Sequence, residues 1–189
     1  MKRLFVAIKI DPDPGFLQVF RTIKSCLGQE RIKWVEENNL HLTLKFLGET
    51  PEEAIPNIKA ALEPVTGVVR PFDYSLKGLG VFGSRYSPRV IWTGLEPSEK
   101  FTFLMKDIKE KFELIGIPGD RQNLVPHLTL GRIKSIADRI IFQRTIDRFG
   151  NYVSLTYKAE SVILYESILT RTGPEYHILQ KYLFNKEFL

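Results

Sequence analysis

The chain has 189 residues, 43% of them hydrophobic and 12% aromatic, and a formal net charge of +5. That length and apolar content allow one domain over residues 1–189, or two small lobes sharing a core. No apolar run approaches the roughly 18 residues of a membrane-spanning helix, and a single cysteine, Cys26, excludes an internal disulfide.

Cys26 falls in a helical stretch without a Cys-x-x-Cys partner, so it reads as a buried structural thiol in a reducing, cytoplasmic setting. The positive charge favours encounter with anions such as RNA, but no block of like charges forms a basic tail. The opening Met1–Ile10 lacks the length and cleavage site of a signal peptide. It reads instead as a strand, with Leu4, Val6, Ile8 and Ile10 on one face and Phe5, Ala7 and Lys9 on the other.

Asp11-Pro12-Asp13-Pro14-Gly15 ends that strand and starts a helix whose apolar stripe is Phe16, Val19, Phe20, Ile23 and Leu27. A short strand over Ile32–Val35 and a polar turn lead to a strand beginning at His41. Thr50 and Pro51 have the chemistry of an N-cap and a first helical residue. The helix they predict carries Ile55, Ile58, Ala61 and Leu62 and ends near Pro64. Residues 71–95 read as a hairpin. Ser98 is placed to cap a third helix that Gly116 closes, and a loop over Asp120–Pro126 precedes a strand from His127. Residues 135–148 read as a short helix or a partly helical connection. Three strands follow, near Tyr152–Tyr157, Ser161–Ser167 and Tyr176–Phe184.

Two stretches repeat. His41-Leu42-Thr43-Leu44 returns as His127-Leu128-Thr129-Leu130, 86 residues on, and uses two of the three histidines in the chain. The spacing is near half the chain and predicts a duplicated architecture. On a strand, alternate side chains share a face. His41, Thr43 and Lys45 are therefore predicted on one face, with Leu42, Leu44 and Phe46 on the other. The second copy divides in the same way. Each strand displays an imidazole and a hydroxyl. Two such pairs facing each other can take a proton from an attacking oxygen and give one to a leaving oxygen, with hydroxyls on the charged phosphate oxygens.

Rival chemistries lack their residues. No Cys, Asp or Glu stands at ligand spacing from either motif to complete a zinc site. Neither a Gly-x-Ser-x-Gly elbow nor a P-loop is present. His177 stands outside the repeat, with no threonine two residues on, and reads as a surface or structural residue.

At these motifs the chain resembles the two-histidine phosphoesterases, in particular the RNA 2′,3′-cyclic phosphodiesterase, or 2′-5′ RNA ligase-like, branch. The resemblance runs through Arg3-Leu4-Phe5-Val6-Ala7-Ile8, Asn39–Glu49, Pro126–Arg132, Leu164–Ser167 and Gly173–Tyr176. It implies an α+β fold of two duplicated lobes with pseudo-two-fold symmetry, whose antiparallel sheets line a central cleft. It implies opening of a 2′,3′-cyclic phosphate on RNA to a 2′-phosphate, with no cofactor and no metal. By position, His41 resembles the proton donor and His127 the proton acceptor, while Thr43 and Thr129 hold the phosphate. Arg132 resembles a substrate contact, although strand parity turns it away from His127 unless a bulge near Gly131 re-aims it. Phe5 is a candidate for stacking on a nucleobase, and Lys45 for adding positive charge. The implied partner is RNA with 2′,3′-cyclic phosphate ends, tRNA halves among them, met by a cytoplasmic monomer away from membranes. The alternatives are another cyclic phosphate or a 2′-5′ linkage at the same site, reversible RNA ligation, or an RNA-binding module without turnover.

Overall fold

The computed structural model describes residues 1–84, 86–119, 125–171 and 173–185. Its elements run β1 (Lys2–Lys9), α1 (Pro14–Cys26), β2 (Arg31–Trp34), β3 (His41–Thr50), α2 (Ile55–Gly67), β4 (Phe72–Gly83), β5 (Pro88–Glu96), α3 (Glu99–Leu114), β6 (Leu128–Ser135), α4 (Arg139–Phe149), β7 (Val153–Ala159), β8 (Ser161–Leu169) and β9 (Pro174–Leu183). The 86-residue offset of the motifs carries β1 onto β5, α1 onto α3 and β3 onto β6.

All strand pairings are antiparallel, in the order β7-β4-β5-β6-β3-β1-β8-β9, with β2 added to β6. Along that order four strands lie on each side of the junction between β3 and β6, with β2 additional on the β6 side. That junction is a single registered pair, Leu42 opposite Leu128. The predicted α+β class, duplication and pseudo-two-fold arrangement are observed. The lobes are not successive halves of the chain, because β8 and β9 return to pair beside β1.

One face of the sheet carries the helices and the main core. Leu4, Val6, Ile8, Leu42 and Leu128 project there and meet Phe16, Phe20, Ile58, Leu62, Phe101 and Phe112 from the helices. Apolar burial of this kind is worth about 25 cal/mol per Å², and it fixes strand register, since a one-residue slip would turn each leucine out of the core. On the opposite face of β1, Phe5 and Ala7 join Ile163 and Tyr165 in a smaller cluster.

The helix starts are set by side chains. Asp13 accepts from the amides of Gly15 (2.8 Å) and Phe16 (3.1 Å), and Asp138 accepts from Ile140 (2.8 Å) and Ile141 (2.9 Å). Glu30, buried beside β2, accepts from the amides of Ala137 and Asp138 at 2.5 and 3.1 Å and ties the start of α4 to the turn between α1 and β2. Three predicted details differ. Ser98 occupies the cap position of α3, but its hydroxyl caps nothing. Thr50 ends β3 and bonds the Gly48 carbonyl, and a 3-10 turn over Glu52–Ala54 precedes α2. The helix α2 runs through Pro64 to Gly67 because Ile58, Leu62 and Val65 continue one fully buried stripe past the proline. Of the predicted loop Asp120–Pro126, residues 120–124 lie outside the described residues.

Candidate active site

The two histidines stand at the entries of the two central strands. In an antiparallel pair, residues opposite each other share a face. With Leu42 opposite Leu128, the same register sets His41 against Thr129 and Thr43 against His127. His41 and His127 are then diagonal neighbours, a relationship that spans about 7–8 Å in antiparallel sheets.

Both rings are anchored in the same way. His41 Nδ1 lies 2.6 Å from the carbonyl oxygen of Asn39, and His127 Nδ1 lies 2.7 Å from that of Val125. A carbonyl can only accept, so each Nδ1 carries the hydrogen and each Nε2 is left for proton transfer. Each ring also rests on aromatic neighbours. His41 meets Phe5 at 4.9 Å and the edge of Tyr176 at 5.1 Å, while His127 meets Phe82 at 4.7 Å and Trp92 at 6.2 Å between centroids.

Strand parity holds as far as the threonines and then breaks twice in the same place. In β3, Ala7 pairs with Thr43 and Val6 with Lys45, so Leu44 is a bulge. In β6, Trp92 pairs with Thr129 and Ile91 with Gly131, so Leu130 is a bulge. An extra residue in one strand inverts the faces beyond it. Lys45, predicted on the histidine face, therefore turns to the core side. It is 5% exposed and donates from Nζ to the Pro118 carbonyl at 3.1 Å. Phe46, predicted in the core, turns to the cleft and is 46% exposed. Arg132 is re-aimed in the same way and shares the face of Thr129.

Phe5 is also corrected. It is 3% exposed, stacked on Tyr165 at 5.1 Å and met edge-on by Tyr176 at 4.9 Å. It forms a wall behind the His41 ring at the edge of the cavity there, packed between the two tyrosines. His177 is exposed on β9 with its Nε2 4.0 Å from Glu175, away from the cleft, as predicted for a surface residue.

Two cavities flank the histidine pair. One, of about 290 Å³, is bounded by His41, Thr43, Thr129, Phe46, Trp34 and Tyr176, with Arg3 and Lys33 at its rim. The other, of about 660 Å³, lies beside His127 and Arg89. Arg132 lines both. Sequence reasoning missed Phe46, Trp34 and Tyr176. For Phe46 the signal is present in the repeat, since it stands five residues after His41 as Arg132 stands five after His127.

Burial pushes the pKa of both histidines below the ordinary value of 6.5. The carbonyl bonds oppose that shift, and the positive charge of Arg132 adds to it at both rings. Both imidazoles therefore favour the neutral form at pH 7, each with an Nε2 lone pair. An anion bound between them would raise both pKa values and make one of them a competent acid. The arrangement can move one proton in and one out across a bound phosphate.

The N-terminal half matches a family model described as LigT like Phosphoesterase over residues 8–92. A protein of Archaeoglobus fulgidus named RNA 2',3'-cyclic phosphodiesterase is 36% identical over 94% of this chain and 98% of its own length. One of the same name from Methanocaldococcus jannaschii is 32% identical over 95% of this chain and 99% of its own. Among solved structures, a protein of Thermus thermophilus superposes with a TM-score of 0.79 at 30% identity, covering 98% of this chain and 99% of that one. Escherichia coli LigT complexed with 3'-AMP shares the fold, with a TM-score of 0.73 at 23% identity, over 98% of this chain and 99% of that one.

Proposed function

The chain belongs to the LigT-like phosphoesterases of the two-histidine superfamily and is a cyclic phosphodiesterase, and from that membership we propose that it opens 2′,3′-cyclic phosphates at RNA ends to 2′-phosphomonoesters without a metal ion. One observation carries the reading. His41 and His127 face one gap across the Leu42–Leu128 pair, each fixed through Nδ1 with Nε2 left open.

In the proposed reaction, Nε2 of His127 takes a proton from water as its oxygen attacks phosphorus. The bond from phosphorus to O3′ breaks, and His41 gives its Nε2 proton to that oxygen. The phosphate stays on O2′, and the two histidines have exchanged protonation states, which solvent restores. The assignment of donor to His41 and acceptor to His127 follows the resemblance of their positions to the family motif. Thr43 and Thr129 face the same gap and donate to the non-bridging oxygens. Arg132 lies close enough to depress both histidines electrostatically, and so stands where negative charge grows in the transition state.

The site supports proton transfer rather than metal ligation because two imidazoles are its donors, and no group of three metal-ligating side chains converges among the described residues. The test is an oligonucleotide bearing a 2′,3′-cyclic phosphate, incubated in EDTA, with the position of the product phosphate mapped. Opening to a 2′-phosphate is expected. A 3′-phosphate product would reverse the leaving group and the donor assignment, and a requirement for added metal would overturn the mechanism.

A further inference from the structure

The cavity beside His127 does not end there. It shares Gly83, Ser84 and Ser87 with a larger one of about 1010 Å³, which continues between the tip of the β4–β5 hairpin and α4. The combined groove leads away from the catalytic pair, and beyond His127 and Arg132 at its inner end none of its lining is needed for proton transfer.

Its charge has one sign. Among the described lining residues, the cationic side chains beyond Arg132 are Arg89, Lys134, Arg139 and Arg144, and none of the described lining residues is a carboxylate. Lys134 and Arg144 are exposed and enter no ion pair among the described residues. Arg139 instead donates from Nη2 to the Tyr86 carbonyl at 3.3 Å, which joins α4 to the hairpin tip. Tyr86 is 79% exposed, an aromatic surface with no core to cover. Cations tracking a groove, hydroxyls between them and a free aromatic ring are the elements of sequence-tolerant binding to single-stranded nucleic acid.

We infer that this groove binds the single-stranded RNA that leads 5′ from the reacting end, so that the enzyme recognises an RNA chain and not a terminal nucleotide alone. The inference rests on the RNA reading above. The terminal nucleoside occupies the aromatic cavity beside His41, which at about 290 Å³ has room for a single nucleoside. The chain then passes Arg132, which lines both sides, and runs between the hairpin tip and α4. Water keeps the position in line with phosphorus at His127.

The test compares wild type with the double variant Lys134→Ala, Arg144→Ala. Binding of a fluorescent single-stranded RNA hexamer and of a dinucleotide, both ending in a phosphate, is followed by anisotropy across a salt series, beside hydrolysis of a 2′,3′-cyclic mononucleotide. Wild type is expected to bind the hexamer at least tenfold more tightly than the dinucleotide. The double variant should lose most of that gain, and its salt slope should fall by about 0.7 for each phosphate contact removed. Mononucleotide hydrolysis should be unchanged. A hexamer bound no better than a dinucleotide, or bound equally by the variant, overturns the inference. Equal loss in all three assays marks a folding defect, and the single variants Lys134→Ala and Arg144→Ala, each expected to lose part of the hexamer gain alone, then decide the inference in the same way. If mononucleotide hydrolysis is absent in wild type while hexamer binding still needs the two cations, the proposed reaction fails and the groove stands.

Discussion

Phe46 and Arg132 occupy the same place in the two halves of the molecule. Each stands five residues after a motif histidine, and each is turned into the cleft by a bulge at the fourth residue of the motif, Leu44 in β3 and Leu130 in β6. The duplication thus extends past the His-Leu-Thr-Leu letters to a distortion that the letters do not name. Where backbone symmetry is kept, side-chain chemistry is not: one lobe supplies an aromatic ring and the other a guanidinium. The cleft is therefore polarised, with a nucleoside-sized aromatic cavity beside His41 and a cationic groove beside His127.

That relationship separates the roles of two adjacent residues. Phe46→Ala should raise KM for a cyclic nucleotide about tenfold, as loss of base stacking worth about 1–3 kcal/mol predicts, with little change in thermal stability. Lys45→Ala should do the reverse. It removes a buried chain of four methylenes and should lower stability by about 2–4 kcal/mol while leaving KM near wild type. Melting curves and steady-state kinetics on both variants check the pair. A KM effect from Lys45→Ala with an unaltered melting temperature would place its side chain in the cleft after all.

The same two residues show what the sequence can and cannot say. Period-two alternation locates Leu42, Leu128 and the His-Thr pairs, because these precede the bulges. It fails at Lys45 and Phe46 because a bulge is a property of how one strand registers against its neighbour, and β3 gives no local sign of it. For Arg132 the family position itself points to a bulge near Gly131. The same bulge applied to the first copy exposes Phe46. Phe5 departs from expectation for a different reason. Its burial comes from Tyr165 and Tyr176, which are more than 150 residues away in the chain and meet it only through the β8 and β9 pairings.

The two histidines should fail singly. Removing a general acid or base costs about 10²–10⁴ in rate, so His41→Ala and His127→Ala should each reduce kcat by at least that much. The double variant should be little worse than the poorer single one, because the two act as a unit. Cyclic nucleotide hydrolysis, with circular dichroism to confirm folding, decides this. Substantial turnover in the double variant would remove the histidines from the mechanism.

Gly131 takes the place in β6 that Lys45 takes in β3, and no side chain fits there. A Cβ at Gly131 would stand 2.8 Å from Ile32 Cγ2 and 2.9 Å from Trp34 Cε3. Trp34 lines the cavity beside His41 and packs edge-on against Phe20 at 5.8 Å, so it has little room to yield. Gly131→Ala should therefore cost about 1–3 kcal/mol of stability as an overpacking change and raise KM through the displaced indole. A variant as stable and active as wild type would show that β2 shifts freely against β6.

Arg132 should set the pH range of the enzyme. Burial, with the charge of Arg132 added to it, holds both histidines below 6.5. The proposed reaction needs His127 neutral and His41 protonated. The rate constant kcat/KM, which reports the free enzyme, should then rise with pH through one depressed pKa and fall through the other, with its optimum on the acid side of 6.5. Bound phosphate adds a negative charge that favours the imidazolium, so the kcat profile should lie at higher pH than that of kcat/KM. Arg132→Gln removes the cation that lowers both groups. Its two limbs should both move to higher pH, because each imidazolium loses a repulsive neighbour, and kcat/KM should drop at every pH with the lost phosphate contact. A drop in rate without movement of the limbs would leave Arg132 as a substrate contact that does not tune the histidines. Movement toward lower pH would contradict the electrostatic sign outright.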